Sequence, residues 1–369
     1  MRIAILHGSN DAYGATRVLV QEILCLVTAG HTVAVVVPHP GPLAHLIEQA
    51  GLTANVVVDP RLAVLRRSKV SDVLHPIRLP RTVLDADVVV LWTLALAAYI
   101  PLLRAKRKSF YVSVHELLLS RMGSLLVRVL LAPGHFPVCA CSEATAMWLE
   151  RNGVTRSRLT VMSPVFEPVT TVQLHEPRDS VTIAVVGRVN GHKGHLEVAR
   201  AFQSLPVLSA PWRLLLFGAP FPGQEAALHS VLTLIAADSR IEYRGEADSV
   251  ASIAGEIDAV ACFPSTPEPF GLVPVEAWRV GVRAVGFADG GAGEVLPIVG
   301  GIGVARSGAP VDDIVSALTQ LEQTIRARIP LPDPLTVNPK FSLERRSLLL
   351  TRVVELAAAR KSRRPASAR

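Results

Sequence analysis

The sequence predicts an α/β protein made of two domains, each a doubly wound parallel sheet. Three observations carry this reading. Short runs rich in Val and Ile alternate with longer helical patterns, as in parallel sheets covered by helices on both faces. The alternation lapses between Ser163 and Ser180, where SPVFEPVTTVQLHEPRDS holds three prolines and no sustained period. It resumes at VTIAVVGR with a second series of the same kind. Half of the 369 residues are apolar, enough for two cores of ordinary domain size. The expected organisation is a first domain over 1–165, a linker over 166–180, a second domain over 181–340, a helix over 341–360 and a basic tail over 361–369.

In the first half, strands are expected at RIAILH, TVAVVVP, ANVVVD, DVVVLW, SFYVSV and PVCACS. The helix after the first strand runs from Gly14 or Ala15 to about Ala29. It sets Val18, Leu19, Ile23, Leu24 and Leu26 on one stripe and stops at Gly30. A second helix, Glu143 to Arg151, ends at the turn Asn152-Gly153. In the second half, strands are expected at VTIAVVGR, WRLLLFG, RIEYRG, DAVACFP and VRAVGF. The segment from Phe341 to about Ala359 reads as an amphipathic helix. Leu349, Val353 and Leu356 stand at i, i+4, i+7 spacing with Leu350 and Val354 beside them. The polar, basic tail is expected to be disordered.

Composition excludes several classes. The apolar stretch Ile3–Leu6 is too short for the core of a secretory signal and reads as a buried strand. The longest apolar run, Val88 to Leu103, is broken by Thr93 and Pro101 and falls short of the ~18 to 20 residues of a membrane span. A cytoplasmic protein is expected. Its four cysteines, Cys25, Cys139, Cys141 and Cys262, read as reduced thiols in apolar surroundings. The formal charge of +7 is concentrated in three clusters: Arg66, Arg67 and Lys69; Arg104, Lys106, Arg107 and Lys108; and the tail. Such clusters suit the phosphates of a nucleic acid, of an anionic membrane surface or of a phosphorylated substrate, and a solvated surface is the alternative for each. Nucleic acid is disfavoured, because only Phe110 and Tyr111, in an expected strand, supply aromatics near them.

In open parallel sheets ligands bind beyond the carboxyl ends of the strands, and two such domains facing each other make a cleft. The strongest signal there is CFPSTPEPFGLVPVEAW, in which seven residues separate Glu268 from Glu276. Pro274 suits the first turn of a helix. The backbone N–H groups around Phe270, Gly271 and Leu272 would then face a phosphate, with carboxylates near for sugar and ribose hydroxyls. Each Glu serving only the helix dipole is the alternative. After the strand VTIAVV come Arg188 and Lys193 in a glycine-bearing loop, suited to a diphosphate, the first by bidentate bonds and the second as a point charge. A P-loop is excluded, because Gly194 and not Ser or Thr follows Lys193.

In the first half, HGSNDAYGATRVLV brings Asn10, Tyr13 and Gly14 to the start of a helix, a geometry that offers N–H groups to an anion. Only Gly8 and Gly14 stand where a dinucleotide fingerprint needs three glycines, so an NAD-dependent oxidoreductase is a poor reading. His115 ends the strand FYVSV, followed by Glu116, and suits a sugar hydroxyl or the acceptor. Asp85-Ala86-Asp87 has the form of a metal-binding D-x-D but precedes its strand, at the amino end, which argues against that role.

Taken together, these residues resemble the retaining GT-B glycosyltransferases of family four, also called glycosyl transferases group 1. The resemblance spans nearly the whole chain. Its most specific part is Glu268 to Glu276, supported by GRVNGHKG, by CSEAT at Cys141 to Thr145, by Tyr243-Arg244-Gly245 and by GGAGEVL from Gly290 to Leu296. YGATRVL looks like the family's N-terminal glycine loop, with Tyr13 where a second glycine is frequent. The resemblance implies two Rossmann-like domains facing across a cleft, the C-terminal one binding the donor. It implies that Glu268 contacts donor sugar hydroxyls, Glu276 the ribose, and Arg188 with Lys193 the diphosphate. Gly14 would offer a backbone N–H and His115 would lie at the site of transfer. The segment around Arg244 would flank the nucleobase, and Gly290 to Glu294 the sugar and phosphates. It further implies retention without a metal or other cofactor, by front-face attack with no protein nucleophile, and a last helix that crosses back onto the N-terminal domain. The expected partners are a nucleotide sugar, a glycan or lipid-linked acceptor and an anionic membrane surface near the N-terminal basic clusters. A GT-B sugar-nucleotide epimerase and a non-catalytic nucleotide-sugar-binding protein are the competing classes.

Overall fold

The computed structural model describes residues 1–65, 77–166, 180–205, 211–220, 223–333 and 338–359. The basic cluster Arg66, Arg67 and Lys69, residues 167–179 of the linker expected over 166–180, and the tail 361–369 lie outside the described residues. The chain divides into two compact units, one of residues 1–167 with 338–369 and the other of residues 168–337.

The first unit holds seven strands: β1 (Arg2–His7), β2 (Thr32–Val37), β3 (Asn55–Val58), β4 (Val88–Trp92), β5 (Phe110–Val114), β6 (Val138–Ala140) and β7 (Leu159–Val161). All are parallel, in the order β3-β2-β1-β4-β5-β6-β7. Ile5 of β1 lies between Val35 of β2 and Val90 of β4. β4 and β5 are buried throughout, which is why they read as unbroken apolar runs. β7 is absent from the expected set, since its three half-buried residues make no recognisable apolar run.

The helix Gly14–Thr28 buries Val18, Leu19, Ile23 and Leu26 as expected, and Glu22 and Cys25 with them. The last helix, Leu343–Ala358, belongs to this unit. Ser342 caps it by accepting the Arg345 N–H, and it rests on the helix Gly14–Thr28 and on β5. Its inward face differs from the expected one: Arg346, Leu350, Val353, Val354 and Ala357 are buried, whereas Leu349 is half-buried and Leu356 exposed. The stripe is turned because it contains a cation. Arg346 Nη2 bonds Glu22 Oε2 at 2.6 Å, and its Nη1 donates to the Ser163 carbonyl at 2.9 Å. The Tyr111 hydroxyl donates to the other Glu22 oxygen at 2.8 Å.

The second unit holds six parallel strands: β8 (Val181–Val186), β9 (Trp212–Phe217), β10 (Ile241–Gly245), β11 (Ala259–Cys262), β12 (Arg283–Phe287) and β13 (Ile302–Val304). Their order is β10-β9-β8-β11-β12-β13. Alternate residues of β8 serve two cores, Ile183 and Val185 joining Phe202, Phe263 and Phe287 on one face, and Ala184 joining Leu215 and Val260 on the other. β13, again three residues long, was not expected.

Both sheets reverse their strand order once, between β1 and β4 and between β8 and β11. These are the switch points where loops diverge and leave a crevice at the carboxyl ends. Among the described residues no helix is long and apolar enough to cross a membrane. All four cysteines are free, and all but Cys262 are buried.

Candidate active site

At the switch point of the second sheet, the loop leaving β8 carries Arg188, half-buried, and then Lys193. Gly194 closes this loop at φ +80°, with its Cα so near the Phe263 carbonyl that a Cβ would lie 2.0 Å from the oxygen. That approach sets the loop of β8 against the loop of β11, and Lys193 forms an ion pair with Glu268 there. Burial opposes the charge on Lys193, but Glu268, and more distantly Glu276, hold its pKa above the usual lysine value.

The loop that bears Glu268 has no regular structure and is fixed by its neighbours. The Gly291 N–H donates to the Glu268 carbonyl at 2.8 Å, and the Ser265 N–H to the His192 carbonyl at 2.9 Å. Gly291 is needed for this contact, because a Cβ would lie 2.3 Å from the Phe270 Cα. Arg306, just past β13, stacks 3.9 Å from the Phe287 ring centroid and donates to the Pro264 carbonyl and to Asp289, each at 2.9 Å. Sequence reasoning missed Arg306, since the strand that delivers it is too short to be seen.

The helix Leu272–Arg279 follows at once. It has no side-chain cap at Gly271, Phe270 is buried beneath its start, and Glu276 stands one turn in. Thus the loops and helix bring Lys193, Glu268, Phe270, Gly271, Leu272 and Glu276 to one place. Arg244 lies at the carboxyl end of the edge strand β10, ion-paired with Glu242 at 3.3 Å and with Glu256 at 2.9 Å.

At the switch point of the first sheet, β1 ends at the buried His7, whose Nε2 meets the Thr16 hydroxyl at 3.0 Å. Asp11 accepts the Tyr13 N–H at 3.1 Å and so shapes the turn before Gly14. The Asn10 side chain braces this loop. Its amide donates to the His39 carbonyl at 3.0 Å and accepts the Leu43 N–H at 2.9 Å. Trp92, at the end of β4, donates its indole N–H to the Ala15 carbonyl at 3.0 Å, and its ring centroid lies 4.3 Å from that of His115. The Gly14 turn and His115 therefore flank one tryptophan. His115 Nε2 meets the Ser113 hydroxyl at 2.9 Å. Burial lowers the His115 pKa to about 3 and that of His7 to about 4, so both imidazoles are neutral near neutrality.

Asp87 sits at the opposite end of the first sheet, accepting the Arg2 N–H at 2.8 Å. Among the described residues no group of three or more His, Cys, Asp or Glu is arranged to hold a metal ion.

Residues 170–323 match the family model described as Glycosyl transferases group 1. No curated protein sequence matches the chain. Among solved structures, the chain is similar to HepE of Anabaena in complex with UDP and glucose, with 19% identity, a TM-score of 0.74, and 96% of this chain and 99% of HepE covered. It is similar to a glycosyltransferase of Rickettsia africae at 15% identity and a TM-score of 0.66, covering 98% of this chain and 96% of that one. The pneumococcal O-GlcNAc transferase GtfA, in complex with UDP and GlcNAc, shows 12% identity and a TM-score of 0.67, covering 97% and 99%. These likenesses show the GT-B fold, two Rossmann-like parallel-sheet domains, over nearly the whole chain.

Proposed function

From a glycosyl transferases group 1 domain on a GT-B frame, we propose that the chain moves a sugar from a nucleoside-diphosphate sugar to a glycan or lipid-linked acceptor, with retention and without a metal, in the synthesis of cell-surface polysaccharide or glycolipid. The observation that carries this reading is the Lys193–Glu268 ion pair at the switch point of the second sheet. A diphosphate draws Lys193 away from Glu268 and pairs with it and with Arg188. The freed carboxylate of Glu268 then takes sugar hydroxyls, and Glu276 takes the ribose. The N–H groups at Phe270, Gly271 and Leu272 add their dipoles to the phosphates.

In transfer, the bond between the anomeric carbon and the phosphate oxygen breaks as the acceptor oxygen bonds to the same face of that carbon. The departing phosphate oxygen takes the acceptor proton. Lys193, Arg188 and the helix start neutralise the charge that grows on the leaving group. His115, neutral and with Nε2 engaged by Ser113, supports the sugar by a hydrogen bond and carries no proton of its own to the reaction. The UDP in the HepE and GtfA complexes supports a uridine-diphosphate sugar as the first donor to test. The experiment is a thermal-shift and calorimetric screen against UDP, GDP, dTDP, ADP and their sugar conjugates, with Lys193→Ala beside wild type. Stabilisation by one diphosphate, lost in the variant, is expected. No response to any of them overturns the reading.

The acceptor side of the proposal is an anionic membrane at the inner face. The helix Arg121–Leu126 runs on as a wider turn over Val127–Leu131, and Leu119, Met122, Leu125 and Val129 are 54%, 73%, 52% and 57% exposed along it. Arg121 and Arg128 are exposed beside this stripe, as are Arg104, Lys106 and Arg107 at the end of the adjoining helix Ile100–Ala105. From Val88 to Ser142 the only acid is Glu116. An apolar stripe with exposed cations beside it suits an anionic bilayer. Flotation with phosphatidylglycerol-containing vesicles, lost in Met122→Ser/Leu125→Ser, is expected. An unbound wild type, or a dimer that the same substitutions dissolve, refutes it.

A further inference from the structure

Glu116 follows His115 in sequence and fastens two loops together. The Leu94 N–H reaches both of its carboxylate oxygens, at 2.9 and 3.1 Å, and the His115 N–H reaches Oε2 at 3.0 Å. The Thr93 hydroxyl and the Ala95 N–H also bond to it. One side chain thus gathers the first residues after β4 and the first after β5, which are neighbouring strands.

The backbone at this point is strained. Thr93 has φ +87°, a left-handed conformation that a β-branched residue disfavours. It persists where the next two amides are held by a fixed acceptor. The residue before it, Trp92, is the one that stacks on His115 and holds Ala15 at the start of the Gly14 helix. The Glu116 carboxylate is therefore placed to govern Trp92, His115 and, through Trp92, the Gly14 turn.

We propose that Glu116 is a positioning residue for transfer: its carboxylate gathers the amides of Leu94, Ala95 and His115 and thereby seats the His115 imidazole against Trp92. The carboxylate accepts all of these bonds only while ionised, since a proton on either oxygen turns an acceptor into a donor facing another donor. Burial pushes its pKa up to about 7, against the hydrogen bonds that pull it down. The groups around it hold their charge through that range. His115 on the same loop and His7 at the end of β1 stay neutral, the Cys141 thiol past β6 is pushed up to about 12, and Arg346 on the last helix is paired with Glu22. Acidification through neutrality therefore takes an acceptor away from these amides within the folded protein, and transfer slows.

The proposal rests on His115 standing beside the transferred sugar, so its test has one arm that needs no donor. At one pH near neutrality, exchange of the Leu94 and His115 amides, which donate to Glu116, is expected to be faster in Glu116→Gln than in the wild-type protein. Equal protection in the two proteins overturns the proposal, whether or not any nucleotide binds. The second arm is transfer by Glu116→Gln against pH. Wild-type kcat/KM is expected to drop about tenfold per pH unit on the acid side. The variant is expected to be slower by about tenfold or more in kcat, to lack that limb, and to bind the nucleoside diphosphate as wild type does. A variant with the wild-type acid limb, or with wild-type transfer near neutrality, refutes the proposal. If Glu116→Gln does not fold, Glu116→Asp, which keeps the charge but draws the carboxylate back from the Leu94 and His115 amides, takes its place in both arms.

Discussion

Arg346 and Glu22 stand 324 positions apart and form a buried ion pair at 2.6 Å, their side chains 2% and 0% exposed. The pair joins the last helix to the helix after β1, and the Tyr111 hydroxyl and the Ser163 carbonyl add hydrogen bonds to it. A charge so deeply enclosed is tolerated only with its partner present. Arg346→Met should therefore cost about 3–5 kcal/mol, because Glu22 is left charged in an apolar site. Glu22→Leu/Arg346→Met should recover most of that loss. Thermal and urea unfolding of the three proteins checks the order, and a double variant less stable than the single one contradicts it.

Lys193→Ala and Glu268→Gln should each lower transfer by about a hundredfold or more, since each removes a group that meets the donor where charge develops. The folds should persist, because Lys193 keeps 38% of its side-chain exposure and the pair lies on loops. Only the lysine variant should lose affinity for the free nucleoside diphosphate. Calorimetry with the diphosphate, beside initial rates, separates the two.

Gly291→Ala tests the support of the Glu268 loop. A methyl group there would meet the Phe270 Cα and the Pro269 carbonyl, each at 2.3 Å, so the loop must shift. The expected loss is about 1–3 kcal/mol of stability together with weaker donor binding. Gly255→Ala is the control, since a Cβ there meets nothing within 4 Å. Equal behaviour of the two variants would show that the close approach of Gly291 to Phe270 is without consequence.

The buried histidines make stability fall on the acid side. His7 is lowered from 6.5 to about 4 by burial, so between those values the unfolded chain takes up a proton that the folded one refuses. Its contribution is present above about 6.5 and is lost as pH falls toward 4. Glu116 acts in the opposite sense, because its raised pKa favours the folded state at low pH and that contribution fades as pH rises toward about 7. His7→Gln should flatten the acid side of a plot of unfolding free energy against pH. An unchanged slope would show that His7 is protonated in the folded protein.

Most of the eleven expected strands were legible because burial makes them dense apolar runs, as in β4 and β8. Glu268 and Glu276 were legible for another reason, since one loop and one helical turn carry both and their relation is local. The pairing of Lys193 with Glu268 spans 75 positions and depends on β8 and β11 being neighbours, which no spacing in the sequence reveals. Arg346 and Glu22 stayed hidden because a charge on an amphipathic helix reads as its solvent face. Arg306 and the strands β7 and β13 escaped because those strands are short and at most half-buried, whereas β6, equally short, is buried throughout and stands in an apolar run. Glu116 was noticed only as the neighbour of His115, because its worth lies in amides contributed by another loop.

The return of residues 338–359 to the first unit sets an order of assembly on the ribosome. Domains usually mature in the order in which they are made. Here the first sheet emerges early but must wait, with Glu22 unmatched, until the whole second unit has been synthesised and Arg346 follows it. The nascent N-terminal portion is thus expected to stay open to chaperones and proteases for most of translation, while the donor-side portion, made later, is finished sooner.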